Sequence, residues 1–120
     1  MGLDMYLTLV DKETKEEIEY SYYRKFNALQ GYFEQNDALE NGGVIQIDAA
    51  RANEIYQILN KVCIEPDRAS ELLPTQSGFF YGPTDYDQLY FRYVELAEKD
   101  FYHAKYLDYD RYDLYFTSNW

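Results

Sequence analysis

Apolar and polar residues alternate at the start of the chain, where Leu3, Met5, Leu7 and Leu9 are separated by Asp4, Tyr6 and Thr8. Successive side chains of a strand point to opposite faces, so this period of two predicts a first β-strand with one buried face. Residues 11–17 contain no apolar side chain and predict an exposed turn. Ile18, Tyr20 and Tyr22 then continue on one face and predict a second strand that folds back as a hairpin. The turn between them has neither the Asn-Gly nor the Asp-Gly pair of a tight hairpin. From Tyr22 the spacing changes: Tyr22, Phe26, Leu29 and Phe33 form one stripe of an amphipathic helix. Residues 36–43 break that helix with Asn, Asp and a Gly pair, and Val44-Ile45-Gln46-Ile47 predicts a short strand.

Asp48 is placed to cap a second helix, in which Ala52, Ile55, Tyr56, Leu59, Val62 and Cys63 recur at helical spacing. Pro66 ends that helix or starts a short further turn. Residues 72–83 hold two prolines and two glycines around Phe79, Phe80 and Tyr81, which predicts a structured loop with room for a short strand at 79–81. Thr84 or Asp85 is expected to cap a third helix, whose apolar face is Tyr86, Leu89, Tyr90, Tyr93, Leu96, Ala97 and Phe101. Tyr112, Leu114 and Phe116 alternate with Asp113 and Tyr115 and mark a last strand. There is no repeat, low-complexity stretch or linker. The expectation is a single α+β domain over residues 1–120, with a small antiparallel sheet of about four strands packed against about three helices.

Composition adds a sign to this outline. The 120 residues carry 22 acidic against 11 basic side chains, a formal charge of −11. Acidic chains that remain disordered lack aromatics, whereas this one has fifteen Tyr and seven Phe, enough to build a core. A protein that grips phosphates needs Lys and Arg to displace counterions, so direct binding to nucleic acid or anionic lipid is not expected. The charge would attract basic protein surfaces, or it would serve solubility alone. Cys63 is the single cysteine, which excludes an intrachain disulfide and favours a reducing compartment. The opening residues 1–5 have no basic region or long apolar run, and no segment approaches the ~20 apolar residues of a membrane span. A cytoplasmic protein, without contact to membrane, is expected.

Candidate chemistry is sparse. One His and one Cys cannot build a structural zinc site. Asp85-x-Asp87 and Asp108-x-Asp110 with Asp113 could offer oxygen ligands, but the second group lacks the central Gly and final Glu of a calcium loop. His103 has no adjacent Ser or Cys motif, and Cys63 lies on an apolar stripe, where an inert buried thiol is the commoner case. No phosphate-binding glycine loop is present. No cofactor, metal or catalytic residue is therefore assigned, and a non-enzymatic role is expected. Two clusters could bind a small anion or nucleotide: Tyr23, Arg24, Lys25 and Asn27, with Arg24 as fork donor, and the aromatics Phe79, Phe80 and Tyr81 between two glycines. The alternatives are surface ion pairs for the first and core plugs for the second. Residues 81–115 hold nine tyrosines interleaved with carboxylates. Asp85, Asp87, Glu95, Glu98, Asp108, Tyr109, Asp110, Tyr112 and Asp113 could present an acidic, tyrosine-rich face that imitates a line of phosphates. A solvated face above half-packed tyrosines is the plainer alternative.

The opening MGLDMYL, the segment Tyr23-Arg24-Lys25-Phe26-Asn27, and Gly78-Phe79-Phe80-Tyr81-Gly82 with Tyr86-Asp87 resemble an uncharacterised family of small phage and prophage proteins. Those proteins carry a Trp in the segment that matches Tyr23–Asn27, which is missing here. The resemblance covers about a third of the chain and implies a mobile genetic element, with no activity attached. In that context the expected role is a phage-type inhibitor that binds a basic, nucleic-acid-binding host protein, such as a defence nuclease or CRISPR effector, in the cytoplasm of a bacterial host.

Overall fold

The computed structural model describes residues 2–120; Met1, which opens the MGLDMYL segment, lies outside the described residues. The elements follow in the order β1 (Asp4–Asp11), β2 (Glu17–Arg24), α1 (Asn27–Asp37), β3 (Val44–Ile47), α2 (Ala49–Ile64), a 3₁₀ turn (Pro66–Arg68), α3 (Ala69–Leu72), α4 (Gln88–Ala104) and β4 (Tyr112–Asn119). The four strands form one sheet in the order β2-β1-β4-β3, and every neighbouring pair is antiparallel. The architecture is α+β, as the alternation of periods predicts.

Met5, Leu7 and Leu9 of β1 stand beside Leu114 and Phe116 of β4 and Ile47 of β3 on the inner face, and all six are buried. The helices cover that face. Phe33 of α1 stacks on Phe116, with ring centroids 4.2 Å apart. Val94, Ala97 and Phe101 of α4 and Ala52, Ile55 and Leu59 of α2 complete the core. Tyr6, Thr8, Tyr22 and Val44 lie on the opposite, half-open face.

The β1–β2 turn closes without a glycine pair. One carboxylate oxygen of Asp11 accepts the backbone N–H groups of Glu13 (2.9 Å) and Thr14 (3.1 Å), and Lys15 takes the left-handed conformation at φ 64°. Asp side chains replace a missing backbone partner in such turns. The bonds from Thr14 and Glu13 hold the Asp11 carboxyl below the usual carboxylate range, helped by Arg111 and opposed by burial.

Four expectations are corrected. Leu7 pairs with Ser21 but Thr8 pairs with Glu19, so Tyr20 is an extra residue in a β-bulge. A bulge inverts the alternation beyond it; Tyr22 therefore sits opposite Tyr6 on the outer face and Tyr23 is buried, so Ile18, Tyr20 and Tyr22 do not share a face. Tyr22 also belongs to the strand rather than to the helix stripe, since α1 starts at Asn27. The cap of α4 is Asp87, whose side chain accepts from the backbone N–H of Tyr90 at 3.0 Å, and neither Thr84 nor Asp85. Residues 79–81 form a turn and no strand. The Asp48 cap and the short turn at Pro66 occur as expected.

Candidate functional site

Two ends of the molecule gather polar groups. At the first, the chain leaves β2 through Arg24 and Lys25 and enters α1 at Asn27, while residues 75–87 approach from the other side. Asn27 joins them. Its Nδ2 donates to the carbonyls of Tyr81 (3.0 Å) and Pro83 (2.9 Å), and its Oδ1 accepts from the backbone N–H of Gln76 (3.0 Å). The result is a cleft of about 180 Å³, lined by Arg24, Lys25, Phe26 and Asn27 on one side and by Thr75, Pro83, Asp85, Asp87 and Leu89 on the other, with Tyr90 and Tyr93 below. Phe26 and Tyr93 stack at 5.4 Å, and the Tyr90 hydroxyl is spent on the Leu73 carbonyl. Burial pushes the Tyr90 phenol well up, so it stays a neutral donor.

The lip of this cleft is held in an uncommon conformation. Lys25 is left-handed at φ 57°, a region that costs a non-glycine residue on the order of 1 kcal/mol. Gly82, at φ 85°, lies against the Lys25 stem: a Cβ there would stand 3.2 Å from the lysine's own Cβ. The strained lysine and the bare glycine thus fit one another, and the stem of Lys25 is laid over the loop. Arg24 Nη1 donates to Asp4 Oδ1 at 2.8 Å.

Of the proposed ligand-binding residues, Arg24, Lys25 and Asn27 line the cleft, whereas Tyr23, Phe79, Phe80 and Tyr81 do not. Asn27 acts there as the clamp of the loop. Tyr23 donates its hydroxyl to Asp100 Oδ2, which also accepts from Ser21 Oγ (2.6 Å), while Tyr20 donates to the Asp100 carbonyl (3.0 Å). Burial first, and the Asp100 charge second, raise the Tyr23 phenol far above its ordinary range. Tyr81 is buried, with its hydroxyl on Glu34 (2.7 Å) and its ring edge-on to Trp120, while Phe79 is 84% exposed. The cleft residues Leu89, Tyr90 and Tyr93 were legible only as the apolar stripe of a helix.

The second end lies at the far side of α4, whose 17 residues span roughly 25 Å. Here the β1–β2 turn meets the segment that follows the helix: Lys12 Nζ donates to the Tyr109 carbonyl at 2.7 Å, Lys12 N to the Arg111 carbonyl at 2.9 Å, and Arg111 Nε bridges to Asp11 at 3.3 Å. This contact brings Glu13, Glu16 and Glu17 to Asp108, Asp110 and Asp113. Counting Asp11, seven carboxylates face the four cations Lys12, Lys15, Lys105 and Arg111, a local charge of −3. Tyr106, 70% exposed, leads into it from α4.

The nine residues expected to form one acidic face divide accordingly. Asp108, Tyr109, Asp110, Tyr112 and Asp113 share the acidic end, although Tyr109 is half-buried with its hydroxyl on the Ala104 carbonyl and Asp113 is engaged by Gln46 and Lys12. Glu95 and Glu98 lie midway along α4, where Glu98 accepts from Asn60 of α2. Asp85 and Asp87 line the cleft at the opposite end. The hairpin glutamates are the acidic residues that sequence reasoning missed, because nothing local ties residues 13–17 to residues 108–113.

No arrangement suited to nucleophilic chemistry forms around Cys63. Burial, then the Glu98 and Glu95 carboxylates, push its thiol up to about 12, far from the thiolate that a nucleophile requires. Cys63 stands level with Glu98, Tyr56 with Tyr102, so the helices run antiparallel and His103 lies about two turns away from the thiol. Among the described residues, no three His, Cys, Asp or Glu side chains gather as a metal site would need, and no helix is long and apolar enough to cross a membrane. Comparison with protein-family models, with curated proteins and with solved structures finds no match to this chain.

Proposed function

We propose that this protein is a non-catalytic binding protein that docks its acidic end onto a basic surface of another protein. The observation that carries the reading is the junction of the β1–β2 turn with residues 108–113, held by Lys12 and Arg111. It concentrates charge at one end of a molecule already at −11. Such a field steers encounter with a positive partner and disfavours nucleic acid itself. Exposed Tyr102 and Tyr106, which flank Lys105 at the end of α4, supply rigid contact area of the kind that dominates binding energy. In the setting implied by the phage-family resemblance, the partner is a nucleic-acid-binding host protein, a defence nuclease or CRISPR effector, and the effect is inhibition by occupying its nucleic-acid groove.

The test is affinity capture with purified, DNA-binding bacterial nucleases and CRISPR effectors, comparing the native chain with Glu13→Gln/Glu16→Gln/Glu17→Gln/Asp110→Asn. The native chain should hold a partner at low salt, lose it at moderate salt, and be displaced by duplex DNA. The fourfold variant should bind at least about tenfold more weakly, a loss of ~1.4 kcal/mol. Undiminished capture by the variant, or capture indifferent to DNA, contradicts the reading.

A further inference from the structure

The cleft at the opposite end is separate from the proposed docking end and was assembled for something other than charge display. Its floor is aromatic (Tyr90, Tyr93) with Phe26 and Leu89 on the walls above it, while its two lips carry opposite charges: Lys25, next to the Asp4-paired Arg24, on one, Asp85 and Asp87 on the other. Both lips are fixed. The Lys25 stem lies against Gly82 in a left-handed backbone, and the loop opposite is pinned through three hydrogen bonds by Asn27. Backbone strain of this kind persists where surrounding structure over-determines it, and it concentrates at ligand clamps.

Charge and size choose among ligands. An anion such as a nucleotide would meet the two aspartates and the repulsion of a −11 molecule. At about 180 Å³ the cleft is also below the roughly 300 Å³ where drug-sized sites begin. A cation alone would meet Arg24 and Lys25. A small molecule that carries both charges, with an apolar side chain for the floor, satisfies both lips and is not repelled by the net field. We infer that the cleft between residues 24–28 and 75–90 binds a free apolar α-amino acid, its carboxylate toward Lys25 and its ammonium toward Asp85. Lys25 makes no ion pair among the described residues, and Asp85 is exposed and bonded to none of them, so both are available. Asp87 is partly engaged, with one oxygen on the Tyr90 amide.

Isothermal titration of the full chain with L-leucine and L-phenylalanine tests this, with N-acetyl-L-phenylalanine and L-phenylalaninamide as ligands that each lack one charge. At least one free amino acid should bind saturably, and both single-charge analogues should bind at least about tenfold more weakly. Asp85→Asn, which alters an exposed group and leaves the melting temperature of the free protein in place, and Lys25→Gln should each weaken binding by a similar factor. The inference is overturned if neither amino acid gives heat or a thermal shift at millimolar concentration. It is also overturned if the N-acetylated or amidated ligand binds as tightly as the free one, or if both variants bind like the native protein. Partner capture by the acidic end is read in a separate assay, so either proposal can fail alone.

Discussion

Asn27 is 4% exposed and all three of its side-chain bonds go to the backbone of one loop. Substituting it by Ala leaves the buried Tyr81 carbonyl and the part-buried Pro83 carbonyl and Gln76 amide without partners, at about 1 kcal/mol for each. Asn27→Ala should therefore destabilise the fold by about 3 kcal/mol in a urea titration and raise hydrogen exchange at residues 76–83. Asp11 makes a different prediction, because its carboxyl titrates low in the folded protein. A depressed carboxylate stabilises the fold fully above its unfolded value, and that stability is lost as pH falls through the folded value. Native stability should drop as pH falls through and below the ordinary carboxylate range, and Asp11→Asn, which keeps an accepting oxygen for the turn, should flatten that drop. The sequence displayed both residues without their roles: Asp11 stood in a run of polar residues, and Asn27 in what read as a ligand-binding knot. Their partners lie across the turn or some fifty positions along the chain, where no local periodicity points.

The elements themselves were largely legible, since period two and period 3.6 report burial directly and β1, α2 and β4 bury the residues they should, whereas α4 buries Tyr90, Ala97 and Phe101 together with Val94, which the predicted stripe omitted, and leaves Leu89 and Leu96 half exposed. What failed was local departure from period. The bulge at Tyr20 inserts one residue and moves Tyr22 outward, and α4 starts at Asp87 because residues 84–86 are held as loop, the Thr84 carbonyl by Thr75 Oγ1. The bulge has a visible purpose in packing: it turns Tyr20, Ser21 and Tyr23 together onto Asp100 and so fastens the edge strand β2 to α4. Asp100→Ala should cost about 1–3 kcal/mol by leaving the buried Tyr23 hydroxyl unpaired, whereas Asp100→Ala with Tyr23→Phe should recover much of that loss in a double-mutant cycle. Equal, additive losses would mean that the hydroxyl finds another partner. At the loop, Gly82→Ala should lower the melting temperature, because φ 85° and the Lys25 stem both oppose a side chain.

Across the whole molecule, the excess of carboxylates is not spread evenly. Asp4, Asp11, Asp37, Glu65 and Glu71 are paired with arginines and Asp113 with Lys12, Asp48 and Asp87 cap helices, and Asp100 is taken by hydroxyls. The acidic end keeps the most carboxylates without such duties, and the opposite end mixes signs around an apolar floor. The tyrosines divide in the same way: Tyr23, Tyr81 and Tyr90 are core side chains with their hydroxyls bonded, whereas Tyr102 and Tyr106 face outward near the acidic end. Net charge could be counted in the sequence, but its division between two ends required the contact of two turns almost a hundred residues apart. Hydrogen–deuterium exchange of the protein with and without its captured partner tests that division most directly. Docking by the acidic end predicts slowed exchange at residues 11–17 and 104–113 and none at the cleft or the open sheet face; protection confined to the cleft or to that sheet face would contradict it.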